Sequence, residues 1–484
     1  MGGWQLTPRR LQMGRTTNKQ ARKGSQGVCA VAVGVTTFAF VVFLRLLMFA
    51  QGSLTEYSDV QRVLTSLADA LPPELRSPNA STSQQAWREW VIGHDRDIRM
   101  RLLRGDQDTL VNWLLFGTSF TRQPRAFFDP AETPDALRRR ISLRTKDLIS
   151  ALASADTDER ITFARQLFLR RGYRFDSTEE QARLERHLYA EVDRVAAERQ
   201  QYMDREDAAP VGDVIDRIVA QSNLFQDRGL SLDTSILPSF AIEQALAAMK
   251  SDKQLVANEI HRVAVIGPGL DFADKNSGYD FYPVQTMQPF TTIDSLVRVG
   301  LASRAEDIEL VTFDVSPHVN DHLRAIRERS KGGPPYILRV PRDLRSQWTP
   351  ALVGYWKSFG DRIGSETPLS KPLHVPAAVE LRGVEIRPQV AAMVTPVNFN
   401  IVTDKWTGQP FDLVIATNVL VYYDRLDQAL AFAGIEAMLR PGGFFITNNV
   451  VVELPVSRLR AVGVMTVQHS AEKIDRVFWY RRNS

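Results

Sequence analysis

The spacing of apolar positions changes near residue 255 and divides the chain into two parts. Before that point apolar residues recur at three- and four-residue steps among charges, which is the pattern of amphipathic helices. The clearest case is residues 178–203, which follow Ser177, a residue suited to cap a helix. A second apolar helix is predicted over residues 108–117. We therefore predict an all-α domain over residues 51–255.

After residue 255, short apolar runs alternate with helical segments. Continuous apolar strands separated by helices are typical of a mostly parallel sheet that is covered on both faces. The last two runs are joined by only a few residues, which predicts an antiparallel hairpin. The sequence thus predicts an α/β domain over residues 256–484, with a Rossmann-like mostly parallel sheet and a C-terminal hairpin. The predicted strands are "RVAVIG", "IELVTFD", "YILRV", "FDLVIAT", "GFFITN", "VMTVQHS" and "RVFWYRR".

A long apolar run, residues 28–50, follows a basic N-terminal segment, residues 1–27. As a helix it would reach roughly 34 Å, enough to cross the core of a bilayer. Arg45 is near one end, where its side chain can extend to the interface. A cleaved signal peptide and a buried soluble helix are the alternatives. We expect a membrane anchor over residues 28–50 and a single-pass membrane protein.

Composition excludes several classes of function. The chain has 484 residues, so two or three domains are expected, and its net charge of +4 does not favour a nucleic-acid partner. Cys29 is the only cysteine, which excludes a disulfide framework and a thiolate metal site. His318 and His322 are four residues apart without a third ligand, so we predict an exposed helix face there and no metal.

The loop after the first predicted strand is the first sign of a ligand. The apolar run stops at Gly267-Pro268-Gly269, and glycine lets a backbone approach a ligand closely. A dinucleotide site would need a third glycine, where Phe272 stands, and an acid about 20 residues further on. Asp314, which ends the second strand, is 47 residues past Gly267. This pattern does not favour NAD.

Taken in order, these segments resemble the class I S-adenosylmethionine-dependent methyltransferases, over roughly residues 256–482. The resemblance implies S-adenosyl-L-methionine as cofactor, with the glycine loop under its methionine part. It also implies that Asp314, followed by Val315, accepts hydrogen bonds from both ribose hydroxyls. "MLRPGGFFITNN" resembles the segment before the fifth strand, where Gly442 or Gly443 would supply a left-handed helix cap.

A narrower stretch resembles the chemotaxis-receptor glutamate methyltransferases. It comprises "VNFNIV" and "NVLVYYD", about forty residues in all. The resemblance implies that Asn400 and Ile401 lie near the adenine and that Asn418 lies near the methionine part. Thr417, a further expected cofactor contact, stands where that family has arginine.

An insertion, "DFADKNSGYDFYPVQTMQ", separates the glycine loop from a helix predicted to begin near Pro289. A long loop at this place predicts a lid that orders over cofactor and substrate. The catalytic residues are not identified. The candidate substrate contacts are Asp271, Asp274, Tyr279, Asp280 and Tyr282, with Tyr422 and Tyr423 at the same end of the sheet.

The sequence therefore predicts membrane-anchored methyl transfer to an unidentified acceptor. The alternative is a membrane-tethered, non-catalytic binding scaffold that keeps a degenerate methyltransferase fold. The basic N-terminus favours a body outside the cytosol by the positive-inside rule. Because the cofactor is made in the cytosol, we expect the catalytic domain to be cytoplasmic.

Overall fold

The structure is a computed structural model, and residues 52–484 form one compact unit. It describes residues 53–68, 71–76, 80–126, 133–208, 230, 235–273, 279–369, 375–451 and 454–484.

The prediction of a single-pass membrane protein has to be corrected. Among the described residues, no helix is both long enough and apolar enough to span a bilayer. The segments on which that prediction rested, residues 1–27 and 28–50, lie outside the described residues.

The helical periodicity of the first part corresponds to helices in the structure. Ser177 caps the long amphipathic one, since its Oγ accepts a hydrogen bond from the backbone N–H of Glu180 at 3.2 Å. The apolar helix predicted to end at Gly117 is the last part of a much longer helix. The described helices up to residue 255 are α1 Tyr57–Ser66, α2 Ala80–Phe116, α3 Pro134–Ala153, α4 Glu159–Arg170, α5 Thr178–Ala208 and α6 Ile236–Ser251.

The second part is built on a seven-stranded sheet. Its strands lie in the order β11 Leu459–Gln468, β12 Ile474–Arg482, β10 Leu439–Thr447, β9 Phe411–Ala416, β2 Arg262–Ile266, β3 Glu309–Asp314 and β7 Val394–Asn398. Neighbouring strands from β10 to β7 are parallel, and β12 is antiparallel to both of its neighbours. The predicted mostly parallel sheet and terminal hairpin are confirmed.

Two smaller sheets accompany the main one. The pair β1 Ser53–Leu54 and β8 Asp404–Lys405 is antiparallel. The strands β4 Tyr336–Asp343, β5 Gly364–Thr367 and β6 Val379–Ile386 form an antiparallel sheet in the order β4-β6-β5.

The run "YILRV" was expected in the parallel sheet, and that expectation is wrong. It forms β4 of the small antiparallel sheet, pairing with β6. Tyr336, Leu338 and Val340 are buried and alternate with less buried residues, which is the period of a strand with one covered face. The third strand of the main sheet is instead β7, whose sequence "VTPVN" contains Pro396. Proline is tolerated there because β7 is an edge strand.

The predicted glycine cap before β10 is also wrong. The helix α11 Arg425–Met438 is followed by Leu439, which is already extended (φ −83°, ψ 147°). Gly442 has a φ of 80°, but it lies inside β10, where the pairing with β9 shifts register between Leu439 and Phe444. The left-handed glycine therefore serves a bulge in the strand.

Both faces of the main sheet are buried, as the apolar strands predicted. Successive strand residues point to opposite faces, so Val263 and Val265 belong to one hydrophobic cluster and Ala264 and Ile266 to the other. The remaining helices are α7 Gln288–Val299, α8 Pro317–Arg329, α9 Pro350–Ser358 and α10 Pro388–Met393.

Helix α2 reaches both clusters. Ile98 and Leu102 pack in one, and Leu110 and Trp113 in the other. The helix therefore passes from one face of the sheet to the other. Between the two faces it contacts residues that lie at the carboxyl ends of strands or shortly after them.

Candidate functional site

The chain changes direction across the sheet between β2 and β9. It builds β2, β3 and β7 toward one edge and then returns to place β9 on the other side of β2. In open α/β sheets, ligands bind at the carboxyl ends of the strands where the order reverses in this way. The loops after β2 and β9 carry residues predicted to bind the cofactor, namely Gly267, Pro268, Gly269, Thr417 and Asn418.

The glycine loop is tied to the neighbouring strand. The backbone N–H of Gly267 donates to the carbonyl of Phe313, at the end of β3, at 2.8 Å. Gly267 has a φ of 63°, and a Cβ there would meet Cγ2 of Val419 at 2.4 Å. Any other residue would be strained and would push the loop after β9 away. Gly269 also has a positive φ, of 71°. The two glycines therefore leave the backbone of this loop without side chains at the switch point of the sheet.

Asp314 lies at the carboxyl end of β3, beside this loop. Its side-chain Oδ1 accepts a hydrogen bond from the backbone N–H of Ser316 at 2.7 Å. Among the described residues, no other group donates to this carboxylate. Burial raises the pKa of Asp314 to about 7, because desolvation is opposed by only that one hydrogen bond. Val315, next in the chain, is half-buried.

The loop after β9 is held by side-chain amides. Asn418 is exposed and has a φ of 57°. Its backbone N–H donates to Oδ1 of Asn448 at 2.8 Å, and Nδ2 of Asn448 donates to Oδ1 of Asn418 at 2.9 Å. Thr417 is buried, and its Oγ1 accepts from Nε2 of Gln288 at 2.8 Å. Thr417 is therefore connected to the first turn of α7, and Asn418 keeps its side chain at the surface.

Asn400 and Ile401 have surroundings unlike those that the narrower resemblance implied. Asn400 is fully buried, its Nδ2 donates to Oδ1 of Asp95 at 2.8 Å, and its Oδ1 accepts from the N–H of Val402 at 3.1 Å. Ile401 is part of the hydrophobic core. Both side chains are occupied by the protein itself, and their contact with an adenine stays a prediction.

Helix α2 contributes residues to this edge of the sheet that the sequence did not point to. Nη1 of Arg99 donates to Oδ1 of Asn398, the last residue of β7, at 2.9 Å. Nη2 of Arg101 donates to the carbonyl of Tyr422 at 2.7 Å. Arg99 and Asn398 are 299 residues apart in the chain, so local patterns contain no signal for such a contact.

Asp280, a candidate lid residue, is an internal anchor. Its carboxylate accepts hydrogen bonds from Nε1 of Trp113 at 2.7 Å, from Oγ1 of Thr118 at 2.8 Å and from Oγ of Ser119 at 2.7 Å. Burial alone would raise the pKa of Asp280, but the charge of Arg160 and the bonds from Ser119 lower it. Neutral donors of the protein itself therefore hold this carboxylate, and its contact with a substrate stays a prediction.

The other described lid residues pack together. Oδ1 of Asp271 accepts from the hydroxyl of Tyr282 at 3.3 Å, and its Oδ2 accepts from Nε2 of Gln285 at 3.2 Å. Tyr279 and Tyr282 are each 2% exposed. Asp271, Tyr279 and Tyr282 line a cavity of about 180 Å³. Asp274 lies outside the described residues.

The two histidines of α8 are not the exposed face that we predicted. His322 is 13% exposed and its Nε2 is 3.3 Å from the hydroxyl of Tyr336, while the ring of His318 packs against Phe163. No group of three or more potential metal ligands occurs among the described residues.

Comparisons with known proteins give only distant similarities. No protein-family model matches the chain, and no curated protein matches it. Among solved structures, it is similar to the N-methyltransferase NodS from Bradyrhizobium japonicum WM9, with 11% identity, a TM-score of 0.26 and coverage of 51% of this chain and 96% of that one. It is also similar to the magnesium protoporphyrin IX methyltransferase ChlM from Synechocystis PCC 6803, with 9% identity, a TM-score of 0.25 and coverage of 58% of this chain and 88% of that one. A third similar structure is TrmN from Thermus thermophilus, with 12% identity, a TM-score of 0.25 and coverage of 51% of this chain and 53% of that one.

Proposed function

We propose that this protein transfers a methyl group from S-adenosyl-L-methionine to an acceptor. The observation that carries the proposal is Asp314, a buried carboxylate at the switch point of the sheet with a pKa raised to about 7. It lies beside a loop in which two glycines keep a left-handed backbone. A perturbed acid next to a loop that admits close backbone approach is a candidate ligand site on physical grounds.

The residues at this place fit the two ends of the cofactor. Asp314 would accept hydrogen bonds from the ribose hydroxyls, which would replace the water that burial removes from the carboxylate. Gly267 and Gly269 would pass under the methionine part, near the exposed Asn418. The bound cofactor supplies a methyl group that its sulfonium already activates. The protein therefore has to orient the acceptor and to take up a proton where the acceptor loses one.

The test is calorimetry of the full chain with S-adenosylhomocysteine. We expect binding, and we expect Asp314→Asn to weaken it by roughly 1.5–3 kcal/mol, the range for hydrogen bonds to charged groups. Asp321→Asn is a matched control, because Asp321 is on the following helix and its side chain is 72% exposed. No binding to the wild type at millimolar ligand would contradict the proposal.

A non-catalytic binding module is the second candidate. The observation in its favour is that α2 crosses the same edge of the sheet and uses Asp95 and Arg99 to hold Asn400 and Asn398. In that case the fold would bind no cofactor. The calorimetric experiment distinguishes the two functions, since only the first requires binding that depends on Asp314.

A further inference from the structure

The cavity that three lid residues line is a candidate ligand site apart from Asp314, which is not in its lining. Leu237 from the first turn of α6, Val340 from β4 and His469 from the turn between β11 and β12 meet there. Apolar cavities of about 150 Å³ bind benzene, so a volume of about 180 Å³ suits one aromatic ring with a small substituent.

His469 gives the wall of this cavity a polar atom that lacks a partner. The residue is 2% exposed, and its Nδ1 is buried with no hydrogen-bond partner among the described residues. Burial and then the charge of Lys473 lower the pKa of His469 to about 4, so the ring is neutral at pH 7. A buried polar atom without a partner is costly, and a ligand that supplies the hydrogen bond removes this cost.

The neutral ring of His469 favours a hydroxyl as the polar group of the ligand. In a neutral imidazole one nitrogen donates and the other accepts, and the tautomer decides which of them carries the proton. A hydroxyl both donates and accepts, whereas an ammonium group only donates and a carboxylate only accepts. A hydroxyl therefore matches Nδ1 in either tautomer.

The charged side chains of the lining have partners within the protein. Oδ2 of Asp343 accepts from Nη2 of Arg345 at 2.6 Å and from the hydroxyl of Tyr279 at 2.7 Å. Asp271 and Lys473 likewise have partners. A charged ligand gains most from an opposite charge that has no partner yet, so this lining favours a neutral ligand.

Aromatic side chains form another part of the wall, from Tyr279, Tyr282 and Trp348. Aromatic rings attract each other in offset and edge-to-face arrangements, beyond the gain from burying their area. Met287 also lines the cavity, and its sulfur is a favourable contact for a ring. The wall therefore favours an aromatic ligand over an aliphatic one.

We propose that this cavity binds a small phenol or aromatic alcohol whose hydroxyl forms a hydrogen bond with Nδ1 of His469. The aromatic side chains of the wall contact the ring of the ligand. The inference goes beyond the proposed methyl transfer and does not depend on it, since neither Asp314 nor the glycines of the loop after β2 line the cavity.

Four probes close in size test the chemistry of the ligand. Phenol, toluene, benzylamine and benzoate are titrated separately into the full chain at pH 7 and followed by ligand-observed NMR. Toluene has a methyl group in place of the hydroxyl, so we expect phenol to bind about fivefold more tightly, the effect of one hydrogen bond. Benzylamine and benzoate should bind more weakly than phenol. Equal affinity for phenol and toluene, tighter binding of a charged probe, or no binding of any probe at millimolar concentration would overturn the inference.

His469→Leu localises the hydrogen bond. It should reduce the affinity for phenol to that for toluene and leave toluene binding unchanged, because leucine keeps an apolar side chain but offers no polar atom. Retained toluene binding also shows that the variant is folded. His261→Leu is the matched control, because His261 is exposed and is not part of the lining. Phenol affinity that His469→Leu leaves unchanged would contradict the assignment of Nδ1.

Val340→Phe localises the cavity itself. Val340 is fully buried and lines the cavity, so a larger side chain there takes up part of the volume. The variant should lose the binding of both phenol and toluene, with circular dichroism to confirm that it is folded. Val462→Phe is the control, because Val462 is 39% exposed and does not line the cavity. Phenol binding that survives in folded Val340→Phe would mean that the probe binds elsewhere, and the inference would then be wrong.

Discussion

Asp314 and Asp280 are both buried aspartates, but their surroundings move their pKa values in opposite directions. Asp314 accepts one described hydrogen bond, from a backbone N–H, and burial raises its pKa to about 7. Burial acts in the same direction on Asp280, but Arg160 and several donors lower its pKa. The protein therefore satisfies the charge of Asp280 with several internal partners, whereas the charge of Asp314 has one described donor.

The first prediction at this scale is a pH-dependent affinity for S-adenosylhomocysteine. Hydrogen bonds from ribose hydroxyls favour the ionised carboxylate, so binding should release a proton where Asp314 is protonated in the free protein. Affinity should rise by at most about tenfold per pH unit below pH 7 and level off above it. Calorimetry in buffers of different ionisation enthalpy measures the released proton. A slope that persists in Asp314→Asn would assign the proton to another group.

The second prediction concerns the free energy of unfolding of the ligand-free protein. The folded pKa of Asp314 is raised, so between about pH 4 and pH 7 the folded state keeps a proton that the unfolded state has lost, and stability falls as pH rises. Asp314→Asn avoids this cost, and we expect it to gain about 1–3 kcal/mol over the wild type at pH 8. Urea unfolding at pH 4 and pH 8 measures the difference. It should be smallest at pH 4, and Asp321→Asn should show no such trend.

At the scale of elements, the C-terminal end of α2 depends on two buried charges. Nε of Arg144 donates to the carbonyl of Leu114 at 2.6 Å, and Nη2 of Arg144 bonds the carbonyl of Gly117. Asp280 accepts the backbone N–H groups of Thr118 and Ser119, each at 2.9 Å. The helix end is thus fixed from both sides, and Asp280 joins it to the insertion after the glycine loop.

Asp280→Asn should therefore destabilise the protein by about 2–4 kcal/mol, because an amide nitrogen would face donors that need an acceptor. The folded pKa of Asp280 is depressed, so its contribution is present above about pH 4 and is lost as pH falls further. Denaturant unfolding at pH 7 and pH 3 checks both statements. Asp361→Asn, at an exposed site, should change nothing, and an equal loss in both variants would exclude a specific anchor.

At the scale of the whole molecule, the helical part and the sheet part share their cores. One cluster joins Leu114 and Leu148 to Val263 and Leu413, and the other joins Ile98 to Phe313. Because neither part encloses a separate core, residues 52–484 should unfold together.

Leu114→Ala and Leu413→Ala test this cooperativity, since both leucines are fully buried. Each should cost about 2–5 kcal/mol, the range for a buried leucine reduced to alanine. Each variant should also shift one common transition in both far-UV circular dichroism and tryptophan fluorescence. Two separate transitions, each sensitive to one substitution, would show that the two parts fold independently.

The sequence by itself determined the elements whose signals are local. Continuous apolar runs identified β2, β3, β9 and β10, the short connection identified the terminal hairpin, and a 3.6-residue period with Ser177 in front identified α5. The glycine loop and Asp314 were found in the same way, as a strand end followed by residues with a known backbone or charge preference. These signals depend on residues that are only a few positions apart in the chain.

Only the tertiary structure decided which of these residues have partners. Three features depend on neighbours that are distant in sequence. They are the edge position of β7, which tolerates Pro396, the bulge in β10 at Gly442, and the burial that raises the pKa of Asp314. Asp95 meets Asn400 across 305 residues, and residues as distant in the chain as Leu237 and His469 line one cavity. Hydrogen-bond satisfaction and desolvation are properties of the packed molecule, so no local pattern in the chain could have contained them.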